Sequence, residues 1–200
     1  MSQTLRRVLC LPRLAALLGV VACLALLFAW LRPAGSPVFA LVDSGDLAGA
    51  QKTLAAHPDQ VLSRAMGRTP LHLAVIKDKM NMVRLLVAQG ADLEARDAYG
   101  NTPLHLAAHC LRLRPTRFLL ERGAQVNARD DFGNTPLHHL AYGSFDKIAF
   151  QVAKMLLEHG ASASARNKQG FRPSELAGFN LHYPMETYLR QAAARAGGRG

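Results

Sequence analysis

Apolar positions along this chain follow two different rhythms. Residues 14–31 read LAALLGVVACLALLFAWL, eighteen positions without a charge. After residue 37 the apolar residues come instead in short clusters three and four apart, the spacing of one helical face. The first rhythm predicts a helix apolar on every side. It would be about 27 Å long, close to the hydrocarbon thickness of a bilayer. The second predicts short amphipathic helices packed together in one body. Residues 32–37, RPAGSP, form a Pro/Gly/Ser linker between the two.

Within the body the pattern repeats itself. GRTPLHLA starts at Gly67, GNTPLHLA at Gly100 and GNTPLHHL at Gly133, two intervals of 33 residues. A second marker keeps this phase: QGA, RGA and HGA around Gly90, Gly123 and Gly160. A third does too: ARDAYG, ARDDFG and ARNKQG, ending at Gly100, Gly133 and Gly170. Each unit reads as two helices and a turn. Thr69, Thr102 and Thr135 are suited to N-cap the first helix, with Pro70, Pro103 and Pro136 at its first position. His72, His105 and His138 stand three residues after the cap, where a side chain can reach back to it. Leu71, Leu104 and Leu137 point inward. Gly90, Gly123 and Gly160 end the second helix in a left-handed cap. Pro115 reads as the first position of the second helix in its unit.

These markers resemble the ankyrin repeat, with its T-P-L-H motif and 33-residue period, over roughly residues 36–190. The resemblance implies an all-α repeat solenoid with hairpin fingers between units. The domain layout expected is a basic segment 1–13, a transmembrane helix or signal anchor 14–31, a linker 32–37, and a repeat domain 38–191. That domain divides into an N-terminal cap 38–66, full repeats 67–99, 100–132 and 133–169, and a C-terminal cap 170–191. Residues 192–200 are expected to be a flexible tail. The third repeat carries four extra residues around Tyr142 to Lys147, in its helix–helix connection.

Charge adds an orientation to the apolar segment. Arg6, Arg7 and Arg13 precede it and Arg32 follows, so the positive-inside rule keeps the N-terminus in the cytoplasm and the repeats outside it. The picture is a single-pass, exported, bacterial protein with its repeats in the periplasm or an equivalent space. The alternatives are cleavage of the segment as a signal peptide, or lipidation at Cys23, which ends a VVAC box. From residue 36 onward 20 basic residues face 14 acidic ones, an excess of six. Without a Lys/Arg block this does not describe a nucleic-acid groove, and no nucleic-acid partner is expected. Of the three cysteines only Cys110 belongs to the body, so packing must hold it together.

Candidate chemistry is sparse. His105 and His109 are four apart on one helix, a metal-pair spacing. No acid completes an H-E-x-x-H pattern, and His105 belongs to the repeat motif. Cys110 and His109 are adjacent on a helix and point apart. No phosphate-binding glycine loop is present. The reading is a non-enzyme with no cofactor and no metal; a His-based metal enzyme is the remote alternative. The resemblance also implies a concave palm of fingertips and first-helix faces that takes a partner protein. By phase it holds Met66, Arg68, Ile76 and Lys77 in the first full repeat, and Tyr99, Asn101 and His109 in the second. Phe132, Asn134 and Tyr142 follow in the third, then Phe171 and Phe179 in the cap. The function expected is a membrane-tethered, monomeric module for binding another protein. An immunity-type inhibitor that occludes an envelope enzyme or toxin is the alternative.

Overall fold

The computed structural model describes residues 36–141, 147–179 and 183–197. The chain divides into Met1–Gly35 and Ser36–Gly200. The apolar segment 14–31, the Cys23 box, Tyr142 and most of the four-residue insertion lie outside the described residues. Among the described residues no helix is long and apolar enough to cross a membrane.

Ser36–Gly200 is an all-α solenoid. Helices α1 (Pro37–Ser44) and α2 (Leu47–Ala56) come first, followed by a 3-10 turn at Pro58–Leu62. Three helix pairs follow: α3 (Pro70–Ile76) with α4 (Met80–Ala88), α5 (Pro103–His109) with α6 (Leu113–Glu121), and α7 (Pro136–Leu140) with α8 (Lys147–Glu158). Helices α9 (Pro173–Phe179) and α10 (Tyr183–Gly197) close the row. Each first helix packs on the first helix of the next pair, so the core is a continuous line rather than a ball. Leu71, Leu104 and Leu137 are fully buried on that line, with Val83, Leu119 and Leu156 meeting them from the second helices.

The first helices are short and begin on a cap. In α3, α5 and α7 the Thr hydroxyl accepts the backbone N–H three residues on, and the histidine at that position accepts the Thr N–H. The N to Nδ1 distance is 3.1 Å in all three. In α9 the arrangement is kept with different chemistry: the Arg172 N–H donates to the Glu175 carboxylate at 2.7 Å.

Two boundaries differ from the sequence reading. Helix α6 begins at Leu113, so Pro115 is its third residue rather than its first. The first four N–H groups of a helix have no partner within it, so the ring is tolerated there as well. The turn before α6 places Leu111 at φ 54 and brings the Arg112 N–H onto the Ala107 carbonyl at 2.8 Å. The same return at Asp78, with the Lys79 N–H on the Ala74 carbonyl at 2.9 Å, starts α4 33 residues earlier, so α6 begins in phase with the repeat. At the other end α10 continues to Gly197, past the expected start of the tail, because Ala192 and Ala193 pack against the core.

Candidate protein-binding surface

Two of the fingers are built around a buried acid, Asp97 and Asp130. Asp97 accepts the N–H groups of Tyr99 and Asn101, each at 2.9 Å, and the Asn101 amide at 3.2 Å. Asp130 does the same for Phe132 at 2.9 Å, and for the Asn134 N–H and amide at 2.7 and 3.1 Å. Burial alone would raise the Asp130 carboxyl; the hydrogen bonds from His139 and Asn134 outweigh it and bring its pKa down to about 2. In the last finger Asn167 stands at the acid's position and receives the Gln169 and Phe171 N–H groups.

Tight turns of this kind throw the second residue after the acid outward. Tyr99 is 60% exposed and Phe132 58%. Backbone bonds hold the fingers side by side: the Asp131 N–H donates to the Tyr99 carbonyl at 3.1 Å, and the Lys168 N–H to the Phe132 carbonyl at 2.9 Å. Gly100 sits at φ +77 where an added Cβ would meet the Asp131 backbone N at 2.8 Å, so contact between fingers requires glycine there. Between the fingers and the first helices lies a hollow of about 330 Å³, lined by Tyr99, Asn101, Asp130, Phe132, Asn134, His139 and Gln169.

Two family models match the chain, both described as ankyrin repeats: one of three copies over residues 38–130, the other of many copies over 110–157. The chain is an ankyrin repeat protein. No curated protein matches it. Ankyrin repeats are, as a class, protein–protein interaction modules.

The residues singled out in the sequence fall into separate groups. Tyr99, Asn101, Phe132 and Asn134 meet at the hollow. Asn101 and Asn134 are only 6% and 7% exposed and spend their amides on the finger acids. They shape the floor, which leaves the contact to the rings. Met66 is 98% exposed one finger away. Arg68 leans toward Asp97 at 3.9 Å, and Lys77 is paired with Asp43 at 2.8 Å. Ile76 is half-buried, and its carbonyl accepts from Arg112 at 3.0 Å. Phe171 and Phe179 form their own edge-to-face pair at 5.1 Å. Tyr142 lies outside the described residues.

His139 and Asp130 are the lining residues that sequence reasoning passed over. His139 stands where the two earlier repeats have Leu73 and Leu106, and that break in the repeat was the available signal. Its Nε2 lies 2.8 Å from Asp130. Its ring stands edge-on to His105 at 5.1 Å and to His109 at 5.9 Å. His105 itself is fully committed: Nδ1 serves the cap, and Nε2 donates to the Asn134 carbonyl at 3.1 Å. Among the described residues no group of three His, Cys, Asp or Glu side chains is placed to hold a metal ion.

Proposed function

We propose that this ankyrin protein is a non-enzymatic binding module that takes a partner protein on the fingertip row of Tyr99 and Phe132, while its N-terminal segment tethers it to a membrane. The observation that carries the binding reading is the pair of half-exposed rings over the hollow. Large, rigid, amphipathic side chains on a preformed surface are the usual anchors of binding energy. They lose little conformational entropy on contact, because backbone bonds already hold their fingers. The buried polar side chains beneath them are bonded to fingers and caps, which supports a scaffold role rather than chemistry.

The tether reading is supported by the charge-free run at 14–31 and by the three arginines before it. The same charge bias supports repeats on the extracytoplasmic side. The double variant Tyr99→Ala/Phe132→Ala should capture no partner from the native membrane fraction, while its melting temperature stays close to that of the parent. A large fall in melting temperature would show that the rings are packing residues and would overturn the palm. A phosphatase fused after Gly200, active only outside the cytoplasm, tests the orientation.

A further inference from the structure

The second helices carry a feature that partner binding on the palm leaves unexplained. One repeat after Arg84 on α4 comes Arg117 on α6, and the next unit has Lys154 at the same place on α8. All three are exposed. The repeat period therefore lays a row of cations across the outer helical layer. Arg114 on α6 and Arg122, at its C-cap, widen the row. Of the net excess of six positive charges from residue 36 onward, three come from Arg84, Arg114, Arg117 and Arg122 less Glu121.

Among the described residues no ion pair engages these four arginines. Arg84 and Arg122 lie over the Phe118 ring at 5.3 and 4.7 Å, contacts that hold a guanidinium in place without neutralising it. Arg84, Arg114 and Arg117 rim a hollow of about 240 Å³ floored by Phe118, with Glu121 its single carboxylate. Lys154 is the weakest member, 3.8 Å from Glu158.

We infer that this basic stripe on α4, α6 and α8 docks on an anionic lipid surface. Charge complementarity calls for an anion, and the surrounding surface says which kind. Protein-binding hot spots usually set arginine beside large aromatic anchors. Neither α4 nor α6 carries an exposed aromatic, and on α8 the exposed large apolar side chain is Ile148, in the first turn and away from Lys154 in sequence. Guanidiniums over a shallow hollow suit phosphate headgroups, which they bind through paired N–H donors. The remaining support is the chain itself. Only four residues, 32–35, separate the apolar run from Ser36, a span of at most about 18 Å. The proposal rests on the tether reading for this last point alone; the stripe belongs to Ser36–Gly200.

The test uses the full chain reconstituted into vesicles of phosphatidylcholine alone or mixed with phosphatidylglycerol. Arginines are modified with phenylglyoxal and counted by mass spectrometry. Arg84, Arg114 and Arg117 should be protected in the mixed vesicles and not in the neutral ones, with Arg68 modified equally in both. Protection should disappear between about 0.1 M and about 1 M salt, as the screening length falls from ~10 Å to ~3 Å. Each arginine near such a surface is worth about fivefold in association. Arg114→Gln/Arg117→Gln should therefore weaken the protection of Arg84 roughly twenty-fivefold. Equal modification in both vesicles, with the protein resisting a carbonate wash, would overturn the stripe and leave the tether standing. Protein removed by carbonate but protected by added phosphatidylglycerol vesicles would support the stripe and reject the tether. Protection by soluble polyglutamate but not by vesicles would overturn the proposal in favour of an acidic protein segment.

Discussion

Three imidazoles do two jobs each. His72, His105 and His138 receive the cap N–H on Nδ1 and donate from Nε2 to a carbonyl of the next unit, Asn101, Asn134 and Phe171. Both bonds require the neutral Nε2–H tautomer. Burial lowers the pKa of all three; for His105 burial, together with the charge of His139, takes it to about 4. An unfolded imidazole binds its proton near pH 6.5, so between about 6.5 and about 4 the unfolded chain holds more protons than the native one. Stability is then complete above 6.5 and falls as the pH drops through that window, by on the order of 3 kcal/mol from His105 alone. Denaturant midpoints at pH 7.5 and 4.5 test this, and His105→Gln should flatten the difference. A midpoint unchanged between these pH values would exclude it. The cap half of each histidine was legible in the sequence, because it is local and recurs three residues after Thr. The Nε2 half was not, since its partners lie 29 or 33 residues away and their approach depends on stacking.

The helices could not stand alone. First helices α3 and α5 have seven residues and α7 has five. Isolated helices shorter than about 12–15 residues are marginal in water, so packing between units must supply the stability. Leu137, fully buried between its neighbours, is one such contact. Leu137→Ala should cost about 2–5 kcal/mol in urea unfolding, the usual range for a buried leucine deletion. A loss below 1 kcal/mol would mean that the site collapses around the gap. Element type was legible from Thr-Pro starts and Gly stops. Element bounds were less so: α6 starts before Pro115, just after Leu111 at φ 54, and two half-buried alanines extend α10. The start of α6 keeps the repeat phase, 33 residues after Met80 and behind the same local turn that Asp78 makes, whereas the extension of α10 depends on packing against the core.

At the scale of the molecule the body is one-dimensional, each unit resting on the next. Stability in such a stack is close to a sum of unit terms and neighbour interfaces, and open ends must be capped. Truncation after Gly170 removes α9 and α10 and uncovers Leu140 and Leu156, both fully buried in the intact chain. Hydrogen exchange on the truncated protein should show α7 and α8 losing protection first, with α3 and α4 retaining theirs. A uniform loss along the chain would instead indicate a single cooperative core. The sequence by itself determined the repeat, the Thr-Pro starts of the first helices in the full repeats and the phase of its fingertips. Those depend on residues within a few positions of one another and on a period that can be counted. Only the tertiary structure decided what each position faces. It buried Asn101 and Asn134 beneath the rings, brought His139 to the hollow, and laid Arg84 and Arg122 over the Phe118 ring. These outcomes depend on how successive units rotate and pack, and a one-dimensional pattern specifies the period of that stacking but not its geometry.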